Sequence, residues 1–530
     1  MENLDGGTKG PRGIGMTSPV TASSTHTETT WNGFSVRGIQ VRLFLTCWLI
    51  YCLHFSPFVT RELYLTMALV ERQTVHVDDY VILHADLFVI EGRGSFVGSN
   101  PGASILAAIP YALSLPVVNK VAPIRTPKAP GEEKAVSGEE RYAQRMFYVN
   151  ARRMGIEVRL GAAAAVTAML FMAPLAAASA VLMFWLFRRL HFALSTSFWL
   201  ALLYAFGTPV FFRSATLSLN LLVALLAFTA FVLLWWPSGA RPDLERWRTF
   251  GAGFLAAYAV VTDFSGAVPA AALGIFALAQ QMRAKPFPQA LRDSLWYLAG
   301  AAGPILFLLW FQWYCYGNPF VPVQYYMPKK YFMNYASERG FGAPQPAALY
   351  GLLFDPLYGL LTFSPVFAVA LYHFVLLWRR QNRVPVNVAV FTWIYSVAFW
   401  VFCSMIHYTL RHQWQDGVRY IVPIVPFLFL LVGDVLARIP RVVAYVIAFA
   451  AIIEMWCLAM VRVGPLESIM SVFLVGPELP SVTALSKVAA QYFPDMAGKD
   501  LPLMFFLVVA VLVWGIWRVR DPWKPIDPEV

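Results

Sequence analysis

The spacing of its apolar runs constrains this chain more than any other feature. A helix that crosses a bilayer needs about 20 predominantly apolar residues. About twelve such runs follow one another, near residues 40–58, 159–187, 193–211, 216–236, 249–265, 267–281, 295–314, 360–378, 386–405, 419–437, 441–461 and 502–518. Lipid offers no partner to backbone N–H and C=O groups, so runs of this kind span as helices. The expected fold is an all-α polytopic membrane protein. Composition agrees, since 58% of the 530 residues are hydrophobic and 13% charged, far from the balance of a water-soluble domain. The net charge of +11 does not point to nucleic acid, because the basic residues collect in short loops on one side of the spans.

Those loops hold Arg188 and Arg189, Arg241, Arg246 and Arg248, Arg283, Lys285 and Arg292, Arg379, Arg380 and Arg383, Arg438 and Arg441, and a tail with Arg518, Arg520 and Lys524. By the positive-inside rule they are cytoplasmic, and so are both termini. Residues 1–38 read as a disordered cytoplasmic tail, rich in Gly, Ser and Thr. Residues 39–437 form the main transmembrane domain, and 438–530 a C-terminal transmembrane region with a loop at 462–501 and a cytoplasmic tail. The long polar segments 59–158, 315–359, 406–418 and 462–501 all emerge on the opposite, extracytoplasmic face. The first is about a hundred residues long, and loops of that length carry function or elements of their own. Inside it, the apolar but proline-broken 101–118 reads as an interfacial or re-entrant helix, because counting it as a span inverts every later loop. The polar, Pro- and Gly-bearing 119–145 reads as an insertion. The five cysteines, Cys47, Cys52, Cys315, Cys403 and Cys457, have no CxxC spacing and read as packing residues.

The first loop concentrates acids: Glu62, Glu71, Asp78, Asp79, Asp86 and Glu91, with His76 and His84 interleaved. Carboxylates at the mouth of a membrane cavity serve as general bases toward an acceptor hydroxyl, and "HVDD" and "HAD" pair them with histidines that can hold a divalent cation. The competing reading is that a solvated loop carries acids for solubility. Glycines 92, 94 and 98 precede Pro101-Gly102 in "EGRGSFVGSNPGAS". They follow no Rossmann-type strand, so a tight hairpin ahead of a helix start is expected. Arg93 and that helix N-terminus can face a phosphate. Basic residues on this face are few, and Arg93, Lys329, Lys330, Arg411 and Arg419 are candidates for stabilising a leaving phosphate. Arg419 stands out because it begins an apolar run, where an unpaired charge is costly.

The order of "RELYLTMALVERQTVHVDDY", "DLFVIEGRGSFVGSNPGASILAAIPYAL", "YGNPFVPVQYY", "GLLFDPLYGLLTFSPVFAVAL" and "WQDGVRYIVPIVPFLFL" resembles bacterial integral-membrane glycosyltransferases of the C superfold, the group that includes protein O-mannosyltransferases and lipid A aminoarabinose transferases. The resemblance spans most of residues 40–437. It implies a polyprenyl-phosphate sugar donor, a cell-envelope acceptor (lipid, glycan or protein), a first-loop carboxylate as base, and residence in the bacterial inner membrane. No cofactor is implied beyond the divalent cation already considered. "RELY" aligns with the family's acidic pair and leaves Glu62 as its acid, with Arg61 where the family has another. Asn100 stands where the family has a lysine for the donor phosphate. The expected function is inverting transfer of a sugar on the extracytoplasmic face. The alternatives are a secondary transporter, suggested by the number of spans, and a catalytically inactive envelope-assembly scaffold, suggested by Arg61 and Asn100.

Overall fold

The computed structural model describes residues 30–124, 142–235, 242–327, 338–407, 417–482 and 501–523. The elements used below are α1 (Val36–Leu53), α2 (Arg61–Met67), a hairpin of β1 (Leu87–Ile90) and β2 (Gly94–Val97), and α3 (Gly102–Val121). After these come the long helix α4 (Glu157–Arg189), interrupted by a π turn, and α5 (Leu194–Phe206), α6 (Leu219–Trp235), α7 (Pro242–Thr262), α8 (Ala267–Ala284) and α9 (Phe287–Tyr316). Last come α10 (Val386–Ser404), α11 (Val425–Leu436), α12 (Arg441–Val461) and α13 (Leu501–Arg518).

Among the described residues, seven helical stretches are long and apolar enough to cross a membrane. Six of them coincide with expected spans, the expected span 249–265 overlaps α7, and the others contain shorter apolar helices such as Leu194–Phe206, Leu219–Trp235 and Val422–Leu436. The chain is thus a helical, multi-pass membrane protein. The seventh stretch is α3, the segment expected to lie along the membrane.

The helices form one large apolar core, in which α11 is buried along its whole length and Phe228, Phe231, Phe391, Tyr395 and Phe427 stack across α6, α10 and α11. Hydrophobic burial does not hold helices together in lipid, so close backbone approach matters more. Helices α7 and α9 show it at Gly253 and Gly300. A Cβ on Gly253 would overlap the carbonyl oxygen of Tyr297, and one on Gly300 that of Phe250. Each glycine thus lies against the carbonyl three residues before the other, the pattern of a parallel crossing.

A second, separate core lies at one end of the bundle and includes Leu63, Tyr64, Tyr80, Phe88, Phe96, Tyr111, Leu160, Phe311 and Tyr316. It forms a cap that stands on two helices longer than their neighbours. The indole of Trp48, near the end of α1, donates to the Met169 carbonyl at 2.8 Å, so the start of α4 rises about 18 Å past that level at 1.5 Å per residue. Measured from the Gly253–Gly300 crossing, α9 continues about 10 Å farther than α7. The hairpin, α2 and the 3₁₀ turn Asp78–Leu83 fill the space between these projecting ends.

Helix α3 joins the two cores. Its Ala103 and Ala107 belong to the bundle core, and its Tyr111 and Val118 to the cap core. At its start a Cβ on Gly102 would come within 2.8 Å of the Thr262 backbone at the end of α7. At its far end Asn119 Oδ1 and the Ala122 carbonyl accept from Arg159 at the start of α4, at 2.9 and 3.3 Å. Arg159 also pairs with Glu71 at 3.0 Å, and Tyr111 donates to the same carboxylate. Both ends of α3 therefore lie at the cap end of the molecule, and the helix does not traverse the bundle. Ile109, Leu113, Val117 and Val121, four residues apart, form an apolar stripe facing away from the protein.

At the opposite end, the start of α1 and the end of α13 meet. The Ser35 side chain caps α1 by accepting from Gly38 N, Asp521 accepts from Ser35 N, and Arg42 donates to the Ile516 and Val519 carbonyls.

Gly300→Leu should disrupt the α7–α9 crossing, because the side chain would run into the Phe250 and Phe254 backbone. A loss of about 3 kcal/mol is expected, read as a lower melting temperature in detergent. Gly303→Leu, where an added Cβ meets nothing within 4 Å, should leave melting unchanged.

Candidate functional site

The first-loop acids separate into distinct surroundings. Helix α2 begins after Thr60, which places Arg61 and Glu62 in its first turn. An acid there is favoured by the free N–H groups of a helix start. The Glu62 carbonyl accepts from Ser104 Oγ of α3 at 2.8 Å and from Thr66 Oγ1 at 3.1 Å, which pins α2 to α3. Arg61 Nε donates to Glu62 Oε1 and Arg61 Nη1 to Asp86 Oδ2, both at 2.8 Å. One guanidinium thus joins a carboxylate from α2 to another from the foot of the hairpin. Glu62 is buried, with 5% of its side chain exposed, whereas a third of the Asp86 side chain is open to solvent.

Asp86 is held from several directions. Its N–H donates to His84 Nδ1 at 3.0 Å, and its carbonyl accepts from Gly98 N at 2.8 Å across the hairpin. Burial works to raise its carboxyl pKa, but Arg61, with His84 and Arg419, outweighs that and holds it below the usual carboxylate range. His84 moves the other way, since burial pushes it below an ordinary histidine in spite of Asp86. With Nδ1 accepting, neutral His84 carries its proton on Nε2. Burial favours a neutral Arg61, and Asp86 and Glu62 reverse that to keep it charged.

Arg419 comes to this group from far along the chain. It acts electrostatically on both Asp86 and His84, and its guanidinium lies 5.2 Å from the Tyr420 ring centroid. Its position is set by buried Arg213, whose Nε and Nη2 donate to the Val418 and Gly417 carbonyls at 2.6 and 2.8 Å. Gly417 has φ +91°, and a Cβ there would press on Phe363. Arg213 was not anticipated from sequence, although an arginine inside the apolar "VFFRSA" demands buried partners.

The other candidates do not join this group. Asp78 Oδ1 accepts from Ser95 N at 2.7 Å and ties the 3₁₀ turn to β2. Asp79 pairs with Arg72 at 3.3 Å, with more than half of each side chain exposed. His76 packs against Phe96 and lies over Gly94, whose φ of +96° and missing Cβ leave room for the ring. It borders an open hollow of about 300 Å³ with Arg72, Asp78, Asp79 and Tyr80. His76 and His84 thus occupy different surroundings, and among the described residues no three His, Cys, Asp or Glu side chains gather as a metal site. Arg93 departs from the expected phosphate contact. It lies at the hairpin tip, about 13 Å along the strand from Asp86, and its guanidinium covers Gly317, where a Cβ would come within 2.5 Å. Asn100 departs as well, because its buried amide donates to the Val260 carbonyl at 2.8 Å and so fastens the start of α3 to α7. Lys329, Lys330 and Arg411 lie outside the described residues.

No protein-family model matches the chain, and no curated protein matches it. Among solved structures it is similar to ArnT from Cupriavidus metallidurans in the apo state, at 15% identity over 91% of this chain and 72% of that one, with a TM-score of 0.44.

Replacing Arg61 by Gln should raise the pKa of Asp86. The wild-type carboxyl lies below its unfolded value of about 3.8, so its ionised form stabilises the fold above that pH, and the contribution is lost as pH falls through the folded pKa. In Arg61→Gln the contribution shrinks and protonation shifts to higher pH. The carboxyl band in pH-difference infrared spectra, assigned by its loss in Arg61→Gln/Asp86→Asn, checks this, and an unmoved titration would count against it.

Proposed function

We propose that this protein is a membrane glycosyltransferase that moves a sugar from a polyprenyl-phosphate donor to a cell-envelope acceptor on the extracytoplasmic face of the bacterial inner membrane. The observation that carries this reading is the convergence of Arg61, Glu62, Asp86 and Arg419 between cap and bundle, from segments more than 300 residues apart in the chain. A solvent-reachable, ionised carboxylate beside a cation of the right sign for a phosphate is the minimum a transfer of this type requires.

In this reading Asp86 Oδ1 or Oδ2 accepts the proton of the acceptor hydroxyl. The acceptor oxygen attacks the anomeric carbon from the face opposite the phosphate, and the bond between that carbon and the phosphate oxygen breaks. The electron pair leaves on the phosphate, where Arg419 stabilises the developing charge. The sugar is transferred with inversion. Arg61 orients Asp86 and keeps it ionised, and His84 holds the Asp86 backbone.

The topology proposed with it has twelve spans, the cap outside and both termini inside. Arginine-rich short loops support the orientation, as does the meeting of the α1 start with the α13 end on the side away from the cap. The outward apolar stripe of α3 suits a helix resting against the outer leaflet.

The test is transfer of labelled sugar from a panel of polyprenyl-phosphate donors to membrane acceptors by the purified protein. Asp86→Asn should lower the rate about 10²- to 10⁴-fold and Arg419→Ala about 10²- to 10³-fold. Asp79→Asn, which breaks only an exposed ion pair, should change it little. Full activity in Asp86→Asn overturns the assignment of the base, and no transfer from any donor by folded protein overturns the function.

A further inference from the structure

Two carboxylates from separate elements meet at a single side chain, Arg61, 2.8 Å from each. Such an arrangement needs a cation. Glu62 has 5% of its side chain exposed and Asp86 34%, and burying two anions side by side without a positive charge would force one of them to take up a proton. Hard divalent cations are commonly held by one or two carboxylates, with water completing the shell. Glu62, Asp86 and the solvent opening beside Asp86 therefore make up the ligand set of a weak divalent site, with a guanidinium at its centre.

The surrounding charges decide which cation fits. Arg419 adds positive charge in the vicinity of Asp86, and the Asp86 N–H occupies His84 Nδ1. The Arg61 guanidinium thus already stands between the two carboxylates. A divalent ion added to this set would bring two further positive charges against Arg61, whose guanidinium already occupies both carboxylates. Removing the Arg61 charge would leave two carboxylates with no guanidinium between them, and space where it had been.

Resting on the transfer-site reading above, we propose that Arg61 is a built-in cation occupying a two-carboxylate site that otherwise takes a divalent metal ion, which makes sugar transfer by this chain independent of free divalent metal. Arg61 is a positioning residue. Both carboxylates occupy its guanidinium, so the leaving phosphate falls to Arg419. Lysine at position 61 supplies the charge but not the fork that reaches two carboxylates in a fixed plane, yet it still repels a metal ion.

The test uses Mn²⁺ as the probe, with the full chain in detergent, and follows the paramagnetic resonance signal of free aqueous Mn²⁺, which is lost on binding. Wild type and Arg61→Lys should bind no more tightly than about 1 mM, the weak end of carboxylate sites. Arg61→Gln and Arg61→Ala, two variants so that one folded protein suffices, should each bind one Mn²⁺ at least about tenfold tighter. Adding Asp86→Asn to either should abolish the gain. Wild-type binding of Mn²⁺ that Asp86→Asn removes would overturn the proposal, because the metal would then share the site with Arg61. So would folded Arg61→Gln or Arg61→Ala protein that binds no better than wild type. The measurement needs no turnover. A chain that gains Mn²⁺ on losing Arg61 but transfers no sugar would keep the built-in cation and lose the function proposed above.

Discussion

The cap depends on one buried ion pair. Arg159 and Glu71, 6% and 10% exposed, meet at 3.0 Å where the projecting start of α4 faces the turn that follows α2. Tyr111 donates to the same carboxylate, and the remaining guanidinium N–H groups reach Asn119 and the Ala122 carbonyl of α3. A buried pair of this kind gains little over an apolar contact of equal volume, but losing one partner leaves an unpaired charge that costs several kcal/mol. It supplies specificity, since only one placement of α2, α3 and α4 satisfies all of these donors and acceptors together. The floor of the candidate site is built on that placement, with Glu62 fastened to Ser104 of α3.

Above that floor the electrostatics follow from depth. Lipid would forbid this density of charge without partners, and open water would screen it. At the seam between cap and bundle, neither limit applies. Arg61 can hold Asp86 ionised while a third of the Asp86 side chain stays reachable from solvent. Asp79, more exposed and paired only with Arg72, has the same chemistry without the control. The difference between the two acids lies in their surroundings.

Much of this was legible in the sequence. Apolar run length gave the helices, because the bilayer imposes a minimum that few other constraints imitate. The hairpin was legible from Gly92 and Gly94, both with positive φ. The grouping of the site was not. Glu62, Asp78, Asp79 and Asp86 are equivalent as letters in an acidic loop, and only the tertiary fold turns Asp78 to the Ser95 N–H and Asp86 to Arg61. Asn100 and Arg93 show the same limit of reading letters in a row. Each lies beside the Pro-Gly helix start in sequence, but one is used to fasten α3 to α7 and the other to cover the Gly317 turn.

Arg61 shows how far a single residue can redirect a site. A second acid in its place would stand next to Glu62 and within reach of Asp86, and three carboxylates so close would require a mobile cation drawn from solution. A guanidinium replaces that requirement with a fixed charge whose position is set by the first turn of α2. The gain is a carboxylate, the base of the proposed transfer, held ionised by a fixed charge. In the proposed transfer, the loss would be a Lewis acid at the donor, and the phosphate charge would fall to other groups of the site. Arg419 is such a group, on a segment that Arg213 fastens through two carbonyls. The two arginines are therefore not interchangeable, because Arg61, in the first turn of α2, is fixed by two carboxylates and Arg419 by the segment that Arg213 holds.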